Sequence, residues 1–353
     1  AIVFNVDETL QTHLGSYTSA LQRHTEESAG VSSRLDSLRG GRSGVGGTAK
    51  AQAPPDVALP DYASAPEFAG ISHWLNTPGG GPLTLADLRG RVVLVDFWTY
   101  SCINCLRTLP HLRAWYAAYH EDGFEIVGVH TPEFAFEHEL GNVTSAVRRL
   151  DVAWPVALDN DYATWNAWGN QYWPAEYLVD QRGEVRAFHF GEGEYRQTEQ
   201  HIRSLLGATG TRTSVSNLTP EVPLTPETYL GPERLDTSRY VGSKLVTGKP
   251  ATFQLAARIP RHAISYGGEW KLAGQYATAG RGATLRLHFH ADDVYIVLGG
   301  SGRVTASVDG KSTRPIRVTG DRLYTVVSSP TTRDATLELR FSPGVRAYSF
   351  TFG

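Results

Sequence analysis

Apolar positions between residues 62 and 207 fall into two alternating rhythms. Arg91–Trp98 is a nearly continuous apolar run, the pattern of a strand buried on both faces. Ile103–Tyr119 then places Leu109, Leu112, Trp115, Tyr116 and Tyr119 along one face of a helix. Further strands are predicted at Phe124–His130 and Pro155–Leu158, helices at Phe136–Leu150 and Tyr195–Leu206, and a helical turn at Tyr162–Trp168. Glu176–Val179 and Glu184–Phe190 read as a hairpin around Asp180-Gln181-Arg182-Gly183, and Gly207 stops the last helix. Strand–helix alternation closed by a hairpin and a helix predicts a layered α/β domain with a mixed sheet over residues 61–208.

The helical rhythm ends there. Residues 209–234 carry Pro220, Pro223, Pro226 and Pro232 and read as a Pro-rich linker. From 235 to 353 short alternating segments recur between turn residues, at Thr252–Ala257, Thr284–His290, Val294–Leu298, Arg303–Val308, Ile316–Val318, Leu323–Val327, Thr336–Phe341 and Tyr348–Phe352. That spacing predicts an all-β antiparallel sandwich. Residues 1–60 read as a helical N-terminal segment, with Leu10, Leu14, Tyr17 and Leu21 in helical register after Asp7, followed by a flexible linker rich in Gly, Ala and Pro.

Composition narrows the function classes. A formal net charge of -3 with no Lys/Arg cluster argues against nucleic acid as a partner. No apolar run approaches the roughly 20 residues of a membrane-spanning helix. The chain begins at Ala1 and contains no Met, so it is read as a fragment, with any targeting information upstream of it. Its two cysteines are too few for a disulfide scaffold in 353 residues, and their spacing points to redox or metal chemistry instead.

Those cysteines, Cys102 and Cys105, lie between the first buried strand and the first helix. At a helix N-terminus, unpaired N–H groups and the helix dipole favour the thiolate, which is the nucleophile. Cys105 follows one turn later on the same side and can attack a mixed disulfide held on Cys102. Cys102 is therefore expected to be exposed and Cys105 buried. Zinc would need two more ligands at suitable spacing, and no second Cys-x-x-Cys or close His pair is present. No metal or cofactor is expected.

The flanking residues resemble the thioredoxin superfamily, in particular its branch associated with cytochrome c maturation. Val95-Asp96-Phe97-Trp98 matches the family's buried strand, Pro110 its helix proline, Trp154-Pro155-Val156-Ala157-Leu158-Asp159 its third strand, and Tyr172-Trp173-Pro174-Ala175-Glu176-Tyr177 its cis-proline stretch. The resemblance implies a thioredoxin fold, a proton-transfer role for Asp96, and a cis Trp173–Pro174 bond facing Cys102. Trp98 is a supporting residue, and Tyr100, Trp165, Trp168 and Trp173 are candidates for an apolar rim that meets a protein partner, with core packing the equal alternative for Trp165 and Trp168. Thr108 and Asn104 stand where relatives often carry a carboxylate and a histidine, which argues against a strongly oxidising pair. A peroxidase constellation would need proline at position 95, which is Val95.

The order of segments resembles an actinobacterial family related to the thiol-reducing membrane transporters of the DsbD and CcdA kind. It implies an extracytoplasmic disulfide reductase, anchored through an upstream membrane domain that donates electrons and passing them to protein disulfide substrates. It also implies a carbohydrate-binding-like sandwich, for which Trp270 and Tyr276 are the candidate sugar platforms and polysaccharide the candidate partner. The sandwich is expected to be a tethered module with no part in the thiol chemistry. The alternative is a wall-binding or scaffolding module with an incidental thioredoxin fold.

Overall fold

The computed structural model describes residues 59–353. The helical N-terminal segment and most of the linker expected after it lie outside the described residues.

The first unit is built on strands β1 (Ala63–Ser64), β2 (His73–Leu75), β3 (Val92–Trp98), β4 (Phe124–His130), β5 (Val156–Leu158), β6 (Ala175–Val179) and β7 (Glu184–Phe190). They form one sheet in the order β1-β7-β6-β3-β4-β5-β2. β3, β4 and β5 run parallel, whereas β6, β7 and β2 are antiparallel to their neighbours, so the sheet is mixed. Its helices are α1 (Ile103–Tyr119), α2 (Leu140–Arg149), α3 (Ala163–Ala167) and α4 (Tyr195–Leu206). Alternation along β3 explains the layering. Val92, Leu94 and Trp98 pack with residues of α1, α2 and α4, while Val93, Val95 and Phe97 pack with Trp165 of α3 and with Leu85 and Leu88. Both faces are covered, which is why the strand reads as an unbroken apolar run. This is the thioredoxin fold expected from the sequence.

The expected helix at Phe136–Leu150 is in two pieces. A 3₁₀ turn at Ala135–His138 precedes α2, and extended backbone at Glu139 separates them. The cause is Glu137, whose carboxylate accepts the backbone N–H groups of Glu133 and Phe134 and holds the chain in its own turn. Gly207 closes α4 in the left-handed region, at φ 64°, as its place after the last apolar residue predicts.

The second unit comprises β8 (Thr228–Tyr229), β9 (Pro250–Phe253), β10 (Ile264–Ala273), β11 (Tyr276–Ala279), β12 (Thr284–Ala291), β13 (Val294–Gly299), β14 (Ser301–Val308), β15 (Lys311–Ser312), β16 (Ile316–Thr319), β17 (Arg322–Val327), β18 (Arg333–Phe341) and β19 (Arg346–Phe352). All their pairings are antiparallel. The long strand β10 belongs to two sheets: Ile264–Gly267 pairs with β12, and Gly268–Ala273 pairs with β9 and β11. The crossing falls at Gly267-Gly268. Gly268 has φ +73°, and a Cβ there would lie 2.1 Å from the Gly282 carbonyl oxygen, so only glycine fits. Residues from both sheets, among them Leu285, Leu337, Ile296 and Phe350, close over one apolar core.

The two units share a packed seam. Tyr229, Val297 and Tyr348 of the β unit belong to the same buried cluster as Trp98, Leu109 and Trp115. Tyr348 packs against Phe134 and Phe136, with ring centroids 5.3 and 4.9 Å apart. Beside it, Glu133 accepts hydrogen bonds from the Tyr229 hydroxyl (2.7 Å) and from Arg234 (2.8 Å), and the Arg234 guanidinium lies 3.6 Å from the centre of the Tyr229 ring. The Pro-rich stretch is not a loose tether. The Thr213 N–H donates to Glu199, Arg203 donates to the Gly210 carbonyl, and Thr225, Thr228 and Tyr229 are buried. No described helix is long and apolar enough to cross a membrane.

Candidate active site

β3 ends at Trp98, and a buried loop of Thr99, Tyr100 and Ser101 leads to Cys102 and the start of α1. Cys102 is the residue that caps α1. Its backbone is extended, and its sulfur accepts the Cys105 N–H at 3.4 Å. Both cysteines are thiols. Cys102 is half-buried, whereas Cys105 is only 1% exposed in the core beneath it. Burial, with the hydrogen bond and charge of Cys102 adding to it, pushes the Cys105 thiol well above its ordinary range. Cys105 therefore needs a base before it can act as a nucleophile.

The alternation of β3 places a carboxyl on the side of the sheet that α1 covers. Asp96 points to the same face as Leu94 and Trp98, under α1, and is 1% exposed. One of its carboxylate oxygens, Oδ1, is buried without a hydrogen-bond partner. Burial raises the carboxyl to about 7, so near neutral pH it can both take and give a proton. Its charge is among the influences that raise Cys105.

On the open side, the Trp173–Pro174 bond is cis. The Trp173 carbonyl accepts from the Cys102 sulfur at 3.9 Å, a weak S–H contact. Trp173 is half-buried; its indole lies 4.3 Å from that of Trp165 and donates to the Thr131 carbonyl at 3.1 Å. It forms one wall of the opening at Cys102.

Other residues singled out in the sequence take different places. Tyr100 is not on a rim: it is 1% exposed and stacks on His130, with centroids 5.6 Å apart. Trp165 and Trp168 pack against Phe97 in the core below the sheet. Trp98 is buried with its indole beside Gly128, where a Cβ would lie 2.9 Å from Nε1. His130 is fully buried; burial lowers it to about 3, so it is a neutral imidazole beside the Thr99 hydroxyl at 3.3 Å. Trp270 is withdrawn as a sugar platform. It is 0% exposed, packed between Tyr266 and Phe341, and it donates to the Gly267 carbonyl. Tyr276 is half-buried, with the Arg346 guanidinium over its ring and Tyr348 at its side, so it presents no free flat face either.

Three residues escaped the sequence reading. Glu137 is buried and accepts from the Ser101 hydroxyl (2.7 Å) and the Ser101 N–H (3.3 Å), which ties the loop before Cys102 to the seam. Burial pushes it up to about 7 against those donors. Arg107, on α1, makes a two-pronged ion pair with Glu192 at 2.6 and 2.7 Å and donates to the Phe352 carbonyl at 3.4 Å. The end of the β unit is thus fastened to the helix that carries both cysteines. Glu176 lies directly opposite Asp96 in the β3–β6 register. Its signal in the sequence was a carboxylate inside an apolar strand, two residues after Pro174.

Both units have counterparts among known proteins. Residues 62–188 match the AhpC/TSA family, and residues 225–353 match the family described as a thioredoxin-like C-terminal domain. Protein DipZ of Mycobacterium bovis and that of Mycobacterium tuberculosis are each 40% identical over 378 aligned positions, covering 100% of this chain and 52% of theirs. The chain therefore spans about half the length of these relatives. Thiol-disulfide oxidoreductase YkuV of Bacillus subtilis is 30% identical over 145 residues, 41% of this chain and 95% of that protein. The chain belongs to the thioredoxin-like thiol–disulfide oxidoreductases.

Proposed function

We propose that this chain is an extracytoplasmic disulfide reductase in which Cys102 attacks the client and Cys105 resolves the intermediate. The Cys102 thiolate attacks one sulfur of a client disulfide, the client S–S bond breaks, and the outgoing client sulfur takes up a proton. Cys105 gives its proton to Asp96 and attacks Cys102. The Cys102–Cys105 bond forms as the client's second sulfur leaves with the electron pair. The client gains two electrons and the cysteine pair loses them. The observation that supports this assignment is the vertical order of three groups: a half-buried Cys102 at the helix start, a buried Cys105 one turn on, and a buried Asp96 beneath.

The electrons that restore the dithiol come, in this reading, from a membrane domain upstream of Ala1. Its supports are the domain order and the match to about half of DipZ. The clients are protein disulfides of cytochrome c biogenesis or of general disulfide homeostasis, and the half-buried Trp173 beside Cys102 offers them an apolar contact. With Trp270 in the core, polysaccharide is not carried forward as a partner.

The test combines trapping with a potential. Cys105→Ser accumulates mixed disulfides through Cys102, and Cys102→Ser forms none. The reduction potential of the pair falls near that of thioredoxin, about −270 mV. A value near about −120 mV, that of a dedicated oxidant, would reverse the direction of flux and overturn the reductase reading.

A further inference from the structure

The resolving step leaves a proton on Asp96, and Asp96 has no route to water of its own. It is buried under α1, flanked by Gly128 on β4 and by Glu176 on β6. The register then continues outward, since Glu176 pairs with His189 on β7. Asp96, Glu176 and His189 thus occupy successive strands in one cross-sheet row, on the face that α1 and α4 cover. Directly opposed carboxylates repel when both are charged, and a sheet keeps such a pair only at a cost. No cation faces this pair among the described residues around it. The titratable groups there are Cys105 from α1, His189 from β7, His201 from α4 and Glu194 just before it.

The row ends in a cleft between β7 and α4. Its volume is about 30 Å³, room for one or two water molecules. Glu176, His189, Thr198 and His201 line it, and it reaches the surface at the exposed Glu194 and Gln197. The Thr198 hydroxyl donates to Glu176 at 3.3 Å, and His189 Nε2 is buried without a protein partner. Burial lowers both His189 and His201, so each is a neutral imidazole at neutral pH that can accept a hydrogen bond from water.

We propose that Glu176 is the outlet for the proton of the resolving step: Cys105 gives its proton to Asp96, Asp96 passes it to Glu176, and Glu176 releases it to water in the cleft beside His189. One proton moves per resolved mixed disulfide, and no electrons travel with it. Glu176 touches no sulfur; it acts through Asp96. The two carboxyls are directly opposed, and the Asp96 charge raises Glu176. Burial places Asp96 at about 7, and burial together with the Asp96 charge places Glu176 at about 8. At neutral pH the pair therefore holds one to two protons, with Glu176 the more often protonated, so Glu176 first releases its own proton to the cleft and then takes the next from Asp96.

This inference rests on the reductase reading, and its test separates the two. The full chain carrying Glu176→Gln is compared with the wild type across pH 5–10, roughly the range that brackets the two carboxyls. Formation of the mixed disulfide at Cys102 and its release by Cys105 are timed separately. The expected result is unchanged formation, release slowed by about tenfold to a hundredfold at neutral pH, and loss of the upper inflection from the release profile. Thr198→Val keeps the carboxylate but removes its donor, and moves that inflection upward. A ¹³C titration of the Asp96 and Glu176 carboxyl carbons reads the coupling without any turnover: two inflections on each carbon in the wild type, one on Asp96 in Glu176→Gln. Wild-type release with an unchanged profile in both variants would overturn the outlet and leave the reductase standing. Failure of the wild type to reduce any disulfide would overturn the reductase, while the carboxyl titration would still accept or reject the coupled pair.

Discussion

Tyr348→Ala removes the ring on which the two units close. Tyr348 is 2% exposed and packs against Phe134, Phe136 and Tyr276 at 5.3, 4.9 and 5.1 Å. Truncating a buried aromatic to alanine costs about 3–5 kcal/mol, and each lost ring pair accounts for about 0.5–1.5 kcal/mol of specific geometry within that sum. At about 2 °C per kcal/mol, the lower end of the range for domains of up to roughly 250 residues, the melting temperature falls by about 6–10 °C. Tyr348→Phe keeps the ring and loses little. The assay is calorimetry, because the shared core predicts one cooperative transition for the described region rather than one per unit. The same change reaches the active site: Phe136 packs 6.0 Å from Tyr100, and Glu137 holds Ser101. Amide exchange at Tyr100 and Ser101 therefore accelerates in Tyr348→Ala. Two well-separated transitions in the wild type, or a variant whose melting and exchange match the wild type, would refute the shared core.

The pH dependence of stability follows from the buried carboxyls. Asp96 at about 7 and Glu176 at about 8 lie above their unfolded values, so the folded state binds more protons. Their contribution is complete below about pH 4 and is lost as pH rises toward 8, at about 1.4 kcal/mol per pH unit for each proton. Urea midpoints at pH 5 and pH 8 measure this; Asp96→Asn flattens the slope, and stability rising over that interval contradicts the assignment. Arg107→Leu leaves the partly buried Glu192 unpaired, and lowers stability by up to about 3 kcal/mol in urea titration. A change under about 1 kcal/mol, the value of an exposed pair, would show that the bridge to the C-terminal strand is solvent-screened.

The chemistry of this protein was legible in the sequence because it is local. Cys102 and Cys105 are placed by a strand, a short loop and a helix that are contiguous, and the bounds of α1, β4, β7 and α4 follow from apolar periodicity alone. What could not be read depends on which strands become neighbours. Glu176 meets Asp96 only through the β3–β6 register, which the sequence does not state. Strand β10 was not among the expected strands; its Gly267-Gly268 pair interrupts the alternation where one strand passes between two sheets. Aromatic residues misled for a related reason. Tyr100 and Trp270 could serve as surface platforms or as core, and only the opposing layer decides: Phe136 and His130 cover one, Phe341 and Tyr266 the other. The Pro-rich stretch looked like a tether because proline marks irregular backbone, yet irregular backbone can lie docked, as Thr225 and Tyr229 do.

The central claim is that Cys102 and Cys105 act together as one two-electron reductant. Its most direct test is a single-turnover reaction of the pre-reduced chain with a protein disulfide, followed by mass spectrometry of both partners. The account predicts one client disulfide reduced per chain, an intramolecular Cys102–Cys105 disulfide as the product, and no reduction by Cys102→Ser. Client reduction that persists in Cys102→Ser, or a product in which Cys105 remains a thiol, would contradict it.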